Sequence, residues 1–341
     1  MKRFIFFCFL FTLILPVFSA EGTVIPDIYN PGSITVDENH IDITQGVEVF
    51  IYSKKDLKLL YNFGKIGEGP REFKQSQLPW IPSINIYLKD NQLMINSTGK
   101  VSYFSKKGEF IMESATGQDA RYIPVGEKYI RMRYLTENRV DFISADLVDA
   151  NFKKLKRVCS YKFPAQQGKK RDPLLLARMS SYFIRYAYDN KFVFPSDTNT
   201  IHIFDAEGDE ITSFTPDYTK VPIDNAMKKR FDQYFSNHLY KEIYLNEKRQ
   251  NLIRLPDYMP IFKDYRLADN KIYILSSFKK QDKYETFIYD FSGKLLKKTF
   301  LPLVESDDIT TLYPFDIKDN KIYQLVLDED EDQFMLCIND I

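Results

Sequence analysis

The sequence predicts an all-β fold: a six-bladed β-propeller of four-stranded antiparallel blades, closed by an N-terminal strand, with a helical insert between blades 4 and 5. Three observations predict it. One polar turn recurs six times, each recurrence opens a run of alternating strands, and the last run is one strand short.

The chain opens with Lys2 and Arg3, an apolar run from Phe4 to Leu15, and a small-residue exit from Pro16 to Ala20. A run this short falls below the roughly 18 residues that cross a bilayer, so residues 1–20 read as a secretory signal peptide cut after Ser19 or Ala20. Cys8 lies inside the apolar run rather than at its end, which argues against lipidation. The remaining 21–341 form the propeller. No later stretch reaches transmembrane length, so the chain is expected in the periplasm, the cell envelope or outside the cell, with no membrane span once the leader is removed.

The recurring turn reads Asp37 to His40, Lys89 to Gln92, Val125 to Lys128, Tyr188 to Lys191, Ala268 to Lys271 and Lys318 to Lys321. Asn, Asp and Gly tolerate the positive φ of a two-residue type I′ hairpin, so each turn joins two antiparallel strands. The strand after each turn alternates with a period near two, as at Ile41 and Ile43, Leu93 and Ile95, or Ile272 and Ile274. A third strand comes next in each unit, at 47–52, 100–104, 139–144, 200–204, 284–289 and 333–338. Its exit turn recurs with a glycine at Gly108, Gly208 and Gly293, which starts a fourth strand through a bulge. Four-stranded units at this spacing are propeller blades, the alternative being hairpins in some other β architecture. The sixth unit stops after its third strand, and residues Gly22 to Pro26 are expected to supply the fourth.

Residues 220–255 break the pattern. Asp224 is placed to cap a helix, and Met227, Phe231, Tyr234 and His238 fall on one face at spacings of three and four. One or two helices are expected here, packed on a face of the propeller, their stripe covering core or serving as a lid or docking element. The basic stretch from Gln166 to Asp172 reads as a solvated excursion between the third and fourth blades.

Lys plus Arg equals Asp plus Glu at 47 each, a balance that speaks against nucleic acid as a partner. With 15% aromatic and 44% apolar residues the chain can bury a large core, which excludes general disorder. After leader removal only Cys159 and Cys337 remain, in separated blades, so free thiols are expected. The chain is expected to be a monomer.

The stretch from Phe63 to Phe73, with Gly64, Gly67, Gly69, Pro70, Glu72 and Phe73, resembles the F-G-x-x-G-x-G-P-G-E-F phrase of secreted bacterial six-bladed β-propellers, relatives of the NHL-repeat and TolB-type propellers. Pro256 to Phe262 is similar to that family's Tyr-x-Pro-x-Phe lead-in to a late blade. The resemblance implies the fold and says little about activity. The sequence departs from it at Arg71, where the family has Gly, so a tight turn is not assured there.

The glycine phrase is not a phosphate loop, because Gly69 runs into Pro70 and an extended stretch to Trp80, not into a helix. Glu68, Arg71 and Glu72 are the candidate ligand-binding residues, projecting from a blade crossover. No catalytic residue is singled out. His40, His202 and His238 are scattered, and no HExxH, Cys-x-x-Cys or Gly-x-Ser-x-Gly phrase occurs, so no metal ligand set is assigned. Six-bladed propellers resembling gluconolactonases hold calcium with channel carboxylates, but Asp37, Asp90, Asp189, Asp269 and Asp319 sit at hairpin turns, where Asp serves geometry. The acidic run Asp328 to Asp332 reads as a hairpin tip. These features favour a non-catalytic scaffold that recognises a protein, peptide or glycan. The alternative is a calcium-assisted hydrolase, lactonase or lyase at the central channel.

Overall fold

The computed structural model describes residues 22–76, 82–117, 120–137, 140–162, 186–196, 199–237, 241–306 and 311–341. Residues 1–20, expected to be a leader, Trp80, the basic stretch 166–172 and His238 lie outside them. No helix among the described residues is long and apolar enough to cross a membrane.

Six four-stranded antiparallel sheets form the six blades. Blade 1 runs Ser33–Val36, His40–Gln45, Glu48–Ser53, Leu59–Phe63, and blade 2 runs Ile84–Lys89, Gln92–Ser97, Lys100–Phe104, Phe110–Ala115. Blade 3 is Ala120–Val125, Lys128–Glu137, Val140–Val148, Lys154–Lys162, and blade 4 is Ala187–Tyr188, Lys191–Pro195, Ile201–Asp205, Glu210–Phe214. Blade 5 comprises Phe262–Ala268, Lys271–Lys280, Lys283–Tyr289, Leu295–Leu301, and blade 6 comprises Phe315–Lys318, Lys321–Asp328, Gln333–Asp340. The first strand of each blade touches the first strands of both neighbours, so the six inner strands close a ring.

Gly22–Val24 completes blade 6 as its outer strand, pairing antiparallel with Gln333–Asp340 in the register Gly22 to Cys337, Thr23 to Leu336 and Val24 to Met335. Residues 22–24 and 333–340 therefore share one sheet, and the edge that the third strand of blade 6 would otherwise expose is covered.

All six recurring turns join the first and second strands of a blade. In blades 2, 5 and 6 both central residues have positive φ: Asp90 and Asn91 at 50° and 59°, Asp269 and Asn270 at 51° and 55°, Asp319 and Asn320 both at 55°. Blade 1 departs from the expected turn. None of Asp37 to His40 is left-handed; instead the Asp37 carboxylate accepts hydrogen bonds from the backbone N–H groups of Asn39 and His40 at 2.8 and 2.7 Å. A side-chain acceptor there takes the place of left-handed backbone.

The exit turns behave alike in five blades, each followed by a bulge between the third and fourth strands. Gly108, Gly208 and Gly293 hold φ of 73°, 71° and 80°. Each also lies against the outer strand of the preceding blade: a Cβ on Gly108 would stand 2.7 Å from the Phe63 ring. In blades 1 and 3 the left-handed position is taken by Leu57 and Phe152, with φ of 56° and 61°. Both bury apolar surface in the seam with the preceding blade, and Phe152 packs on Tyr122 and Tyr129 with ring centroids 4.8 and 5.0 Å apart. That packing offsets the roughly 1 kcal/mol by which L-residues disfavour this region. Gly108→Ala combines left-handed strain with the Phe63 contact, and is expected to lower unfolding free energy by about 2 kcal/mol in denaturant titrations.

The core is divided into six apolar seams, one between each pair of neighbouring blades. A seventh cluster belongs to the insert. Its helices, α1 (Asn225–Asn237) and α2 (Lys241–Arg249), follow Asp224, whose carboxylate caps α1 by accepting from the Met227 N–H at 2.7 Å. The described part of their stripe forms a cluster of the insert's own. Phe231, Phe235 and Tyr244 bury against Met227, Tyr234, Leu245, Ile253, Leu255 and Met259, all within the insert. A bridge between Pro222 and Tyr258 closes its base. The Glu285 carboxylate ties its approach to blade 5, accepting from the Thr219 hydroxyl at 2.6 Å and the Ser276 hydroxyl at 2.7 Å. The two cysteines among the described residues are free, Cys337 buried in blade 6 and Cys159 half-buried in blade 3.

Candidate functional site

The alternation of strands gives the ring two unlike ends. One end gathers the turns between first and second strands and between third and fourth strands, all short and dense in Asp, Asn and Lys. The other end gathers the crossovers from each outer strand to the next inner strand, including the Phe63 to Phe73 phrase and the helical insert. Rigid blades thus present their longest and most varied segments on one face.

The glycine phrase folds into a closed loop. Lys65–Ile66 pairs in parallel with Glu72–Phe73, and Phe73 inserts fully buried into the seam between blades 1 and 2. Glu72 is the clasp: its carboxylate accepts from the N–H groups of Glu68 and Gly69 at 3.1 and 2.9 Å and pairs with Lys65 at 2.9 Å. The Lys65 pairing and the Gly69 N–H hold its carboxyl below the usual range. A Cβ on Gly67 would overlap that carboxylate. Arg71 occupies the left-handed region at φ 64°, so the tight turn forms without glycine. Of the three candidate residues, Glu72 is committed to the loop. Glu68 and Arg71 face solvent, Glu68 pairing with Lys74 at 3.0 Å and the Arg71 side chain finding no partner among the described residues. The three do not converge on one point of chemistry.

Near the axis, Arg266 on the inner strand of blade 5 is buried against its neighbours. Its guanidinium stacks on Phe315 of blade 6 at 3.7 Å and on Tyr186, just before blade 4, at 4.8 Å. It donates twice to the Phe315 carbonyl at 3.1 Å and pairs with Asp264 at 3.1 Å. Asp316 continues the collar by accepting from the Val36 N–H of blade 1 at 2.8 Å. Burial pushes its carboxyl up to about 6, against the opposing pull of Arg266. This polar collar joins blades 4, 5, 6 and 1.

Asp42 breaks a repeat. Met94, Ile130, Val193, Tyr273 and Tyr323 occupy the matching position of the other second strands, each in the seam with the following blade. Asp42 is buried in the same place, and neither carboxyl oxygen has a hydrogen-bond partner. Lys106 of blade 2 reaches it only at 3.8 Å while holding Asp37 at 2.5 Å. Burial, aided by Asp37, pushes its carboxyl up to about 7 against Lys106. A folded-state value raised above the unfolded one means a contribution fully present below pH 4 and lost as pH rises through 7. Asp42→Asn is therefore expected to add about 2 kcal/mol at pH 8 and nothing at pH 4, read from denaturant midpoints at both values.

Among the described residues no group of three or more His, Cys, Asp or Glu is placed to hold a metal ion. His40 and His202 lie in strands, His202 paired with Glu210 at 2.9 Å. Asp328 to Asp332 caps the hairpin between the second and third strands of blade 6.

On the crossover end, apolar side chains stand in solvent. Tyr29, between the closing strand and blade 1, is 72% exposed, and Ile66 of the glycine loop is 64% exposed. Tyr258 at the base of the insert and Val304 between blades 5 and 6 are also exposed. No single residue type marks this surface in the sequence, because the four lie in four different crossovers.

No family model matches the chain, and no curated protein matches it. Solved structures similar to it include BamB from Moraxella catarrhalis, at 7% identity over 90% of this chain and 71% of that one with a TM-score of 0.32. The WD40 domain of Neurospora crassa Pan2 is 9% identical over 92% and 80%, with a TM-score of 0.42. The β-propeller domain of the Trilobed protease from Pyrococcus furiosus is 11% identical over 87% and 78%, also at 0.42. These likenesses carry nothing about chemistry, and the fold rests on the strand pairing itself.

Proposed function

We propose that the protein is an exported, non-catalytic recognition scaffold that binds a protein, peptide or glycan on the crossover end of its ring. The observation that carries the reading is the exposure of Tyr29, Ile66, Tyr258 and Val304 on four crossovers at that one end, opposite an end of short charged turns. Exposed aromatic and aliphatic side chains held by a rigid frame supply contact area at little entropic cost. Arg71 and Glu68 add charged contacts beside Ile66. The signal-like leader and the resemblance of the glycine phrase to secreted propellers support export.

Photo-crosslinking side chains placed at Tyr29 and Tyr258, and for comparison at Lys271 and Lys321 on the turn end, test the reading in the envelope fraction of the producing cell. A defined adduct from the first pair and none from the second is expected. Equal adducts from both ends, or none from either, would refute it.

A further inference from the structure

Blade 3 carries a charged cluster that the docking face does not use. Arg131 and Arg133 stand two residues apart on its second strand, and Ser144 and Asp146 two apart on its third. Arg131 lies opposite Asp146 and Arg133 opposite Ser144, with Arg157 of the fourth strand opposite Asp146 on the other side. Period-two alternation puts the four on one face of the sheet. That face is turned toward blade 2, because Ile143, Ala145 and Leu147 on the alternate positions fill the seam with blade 4.

Asp146 is fully buried and accepts from four cations: Arg131 and Arg133 at 3.1 Å on one oxygen, Lys154 at 3.0 Å and Arg157 at 3.2 Å on the other. Burial would raise its carboxyl, but the four cations hold it below the ordinary range. Among the described residues, four positive groups around one carboxylate leave three in excess; Glu137, 3.9 Å from Arg157, reduces the excess to two. With two donors on each oxygen the carboxylate has no capacity left.

Buried donors nevertheless remain unmet on this face. Arg131 Nε, Arg133 Nε and Ser144 Oγ find no partner among the described residues, and Ser144 is wholly buried. The two Nε–H groups can only donate, and the hydroxyl can donate too, so an acceptor is what satisfies all three. Surplus positive charge selects an anionic acceptor over a neutral one. We propose that this face of blade 3 binds an oxyanion, a phosphate or carboxylate group, through Arg131, Arg133 and Ser144, with Asp146 fixing the two guanidinium forks. The planar forks match the paired oxygens of either group. This site stands apart from the crossover docking surface and does not rest on it.

The test is thermal unfolding of the full chain in millimolar inorganic phosphate, in acetate, and in chloride of matched ionic strength, concentrations at which general salt effects are small. A saturable rise in Tm with phosphate or with acetate, absent in chloride, is expected, and the arm that responds identifies the group. Ser144→Ala and Arg133→Lys should each weaken the apparent affinity at least tenfold. Arg133→Lys keeps the charge while removing the Nε donor, so it separates a built site from bulk attraction. Equal Tm in all three salts, or a rise that persists unchanged in both variants, would overturn the proposal.

Discussion

A chain that begins at Gly32, lacking the closing strand, is expected to lose on the order of 5 kcal/mol of unfolding free energy. Ile25 and Ile28 are buried in the seam between blades 6 and 1 and contribute about 2 kcal/mol each. The backbone hydrogen bonds to Gln333–Asp340, including Ile25 N–H to the Phe334 carbonyl at 2.9 Å, add roughly 1 kcal/mol apiece. Against a total of about 5–15 kcal/mol for a folded domain, that loss lowers Tm by about 10 °C and exposes a strand edge that promotes aggregation. A synthetic peptide spanning residues 21–31 should restore part of the Tm by adding back as a strand. A truncated chain with unaltered Tm would show that the ring holds without its closing strand.

Arg266→Ala is the second large effect, an expected loss of about 3–5 kcal/mol. The substitution strips two hydrogen bonds from the Phe315 carbonyl, removes a cation stacked between two rings, and leaves Asp264 and Asp316 without their shared counter-charge. Its pH dependence has a definite sign. Asp316 already has a folded-state value raised to about 6, so its contribution is lost as pH rises through 6, and removing the cation raises that value further. The penalty of Arg266→Ala is thus larger at pH 8 than at pH 5, where Asp316 is neutral. Arg266→Lys restores the charge without the fork and should recover only part of the loss. Chemical denaturation of the three proteins at both pH values measures all of this.

Much of the architecture is legible in the sequence because its signals are local. Asp-Asn pairs such as Asp90-Asn91 and Asp319-Asn320 report a backbone preference that depends on two residues alone, and the missing fourth strand of the last unit points to residues 22–26. The exit turns are visible only where glycine fills the left-handed position. Leu57 and Phe152 hold the same conformation but are stabilised by packing in the seams, Phe152 on Tyr122 and Tyr129 of its own blade's inner strands, contacts that the local sequence of the turn does not show. The insert's stripe carries helical spacing in the sequence, whereas what it packs against depends on Ile253, Leu255 and Met259 folding back onto it.

Candidate chemistry is harder to read for the same reason. The glycine phrase suggests Glu68, Arg71 and Glu72 as a group, yet Glu72 commits its oxygens to the loop's own N–H groups. Asp146 draws its four partners from the second and fourth strands of its blade, at separations of 8 to 15 residues with no motif linking them. Asp42 looks like any strand residue until the six blades are superposed by register and its five counterparts prove to be apolar.

The ring closed by residues 22–24 is most directly tested by Val24→Cys combined with Met335→Cys. The two positions lie directly opposite each other across the closing pair, and both are outside the buried core. Oxidation should give a monomer in which peptide mapping finds residue 24 linked to residue 335, with a Tm well above that of the reduced protein, since the bond spans almost the whole chain. Free thiols, or links found only between separate chains, would contradict the closed ring.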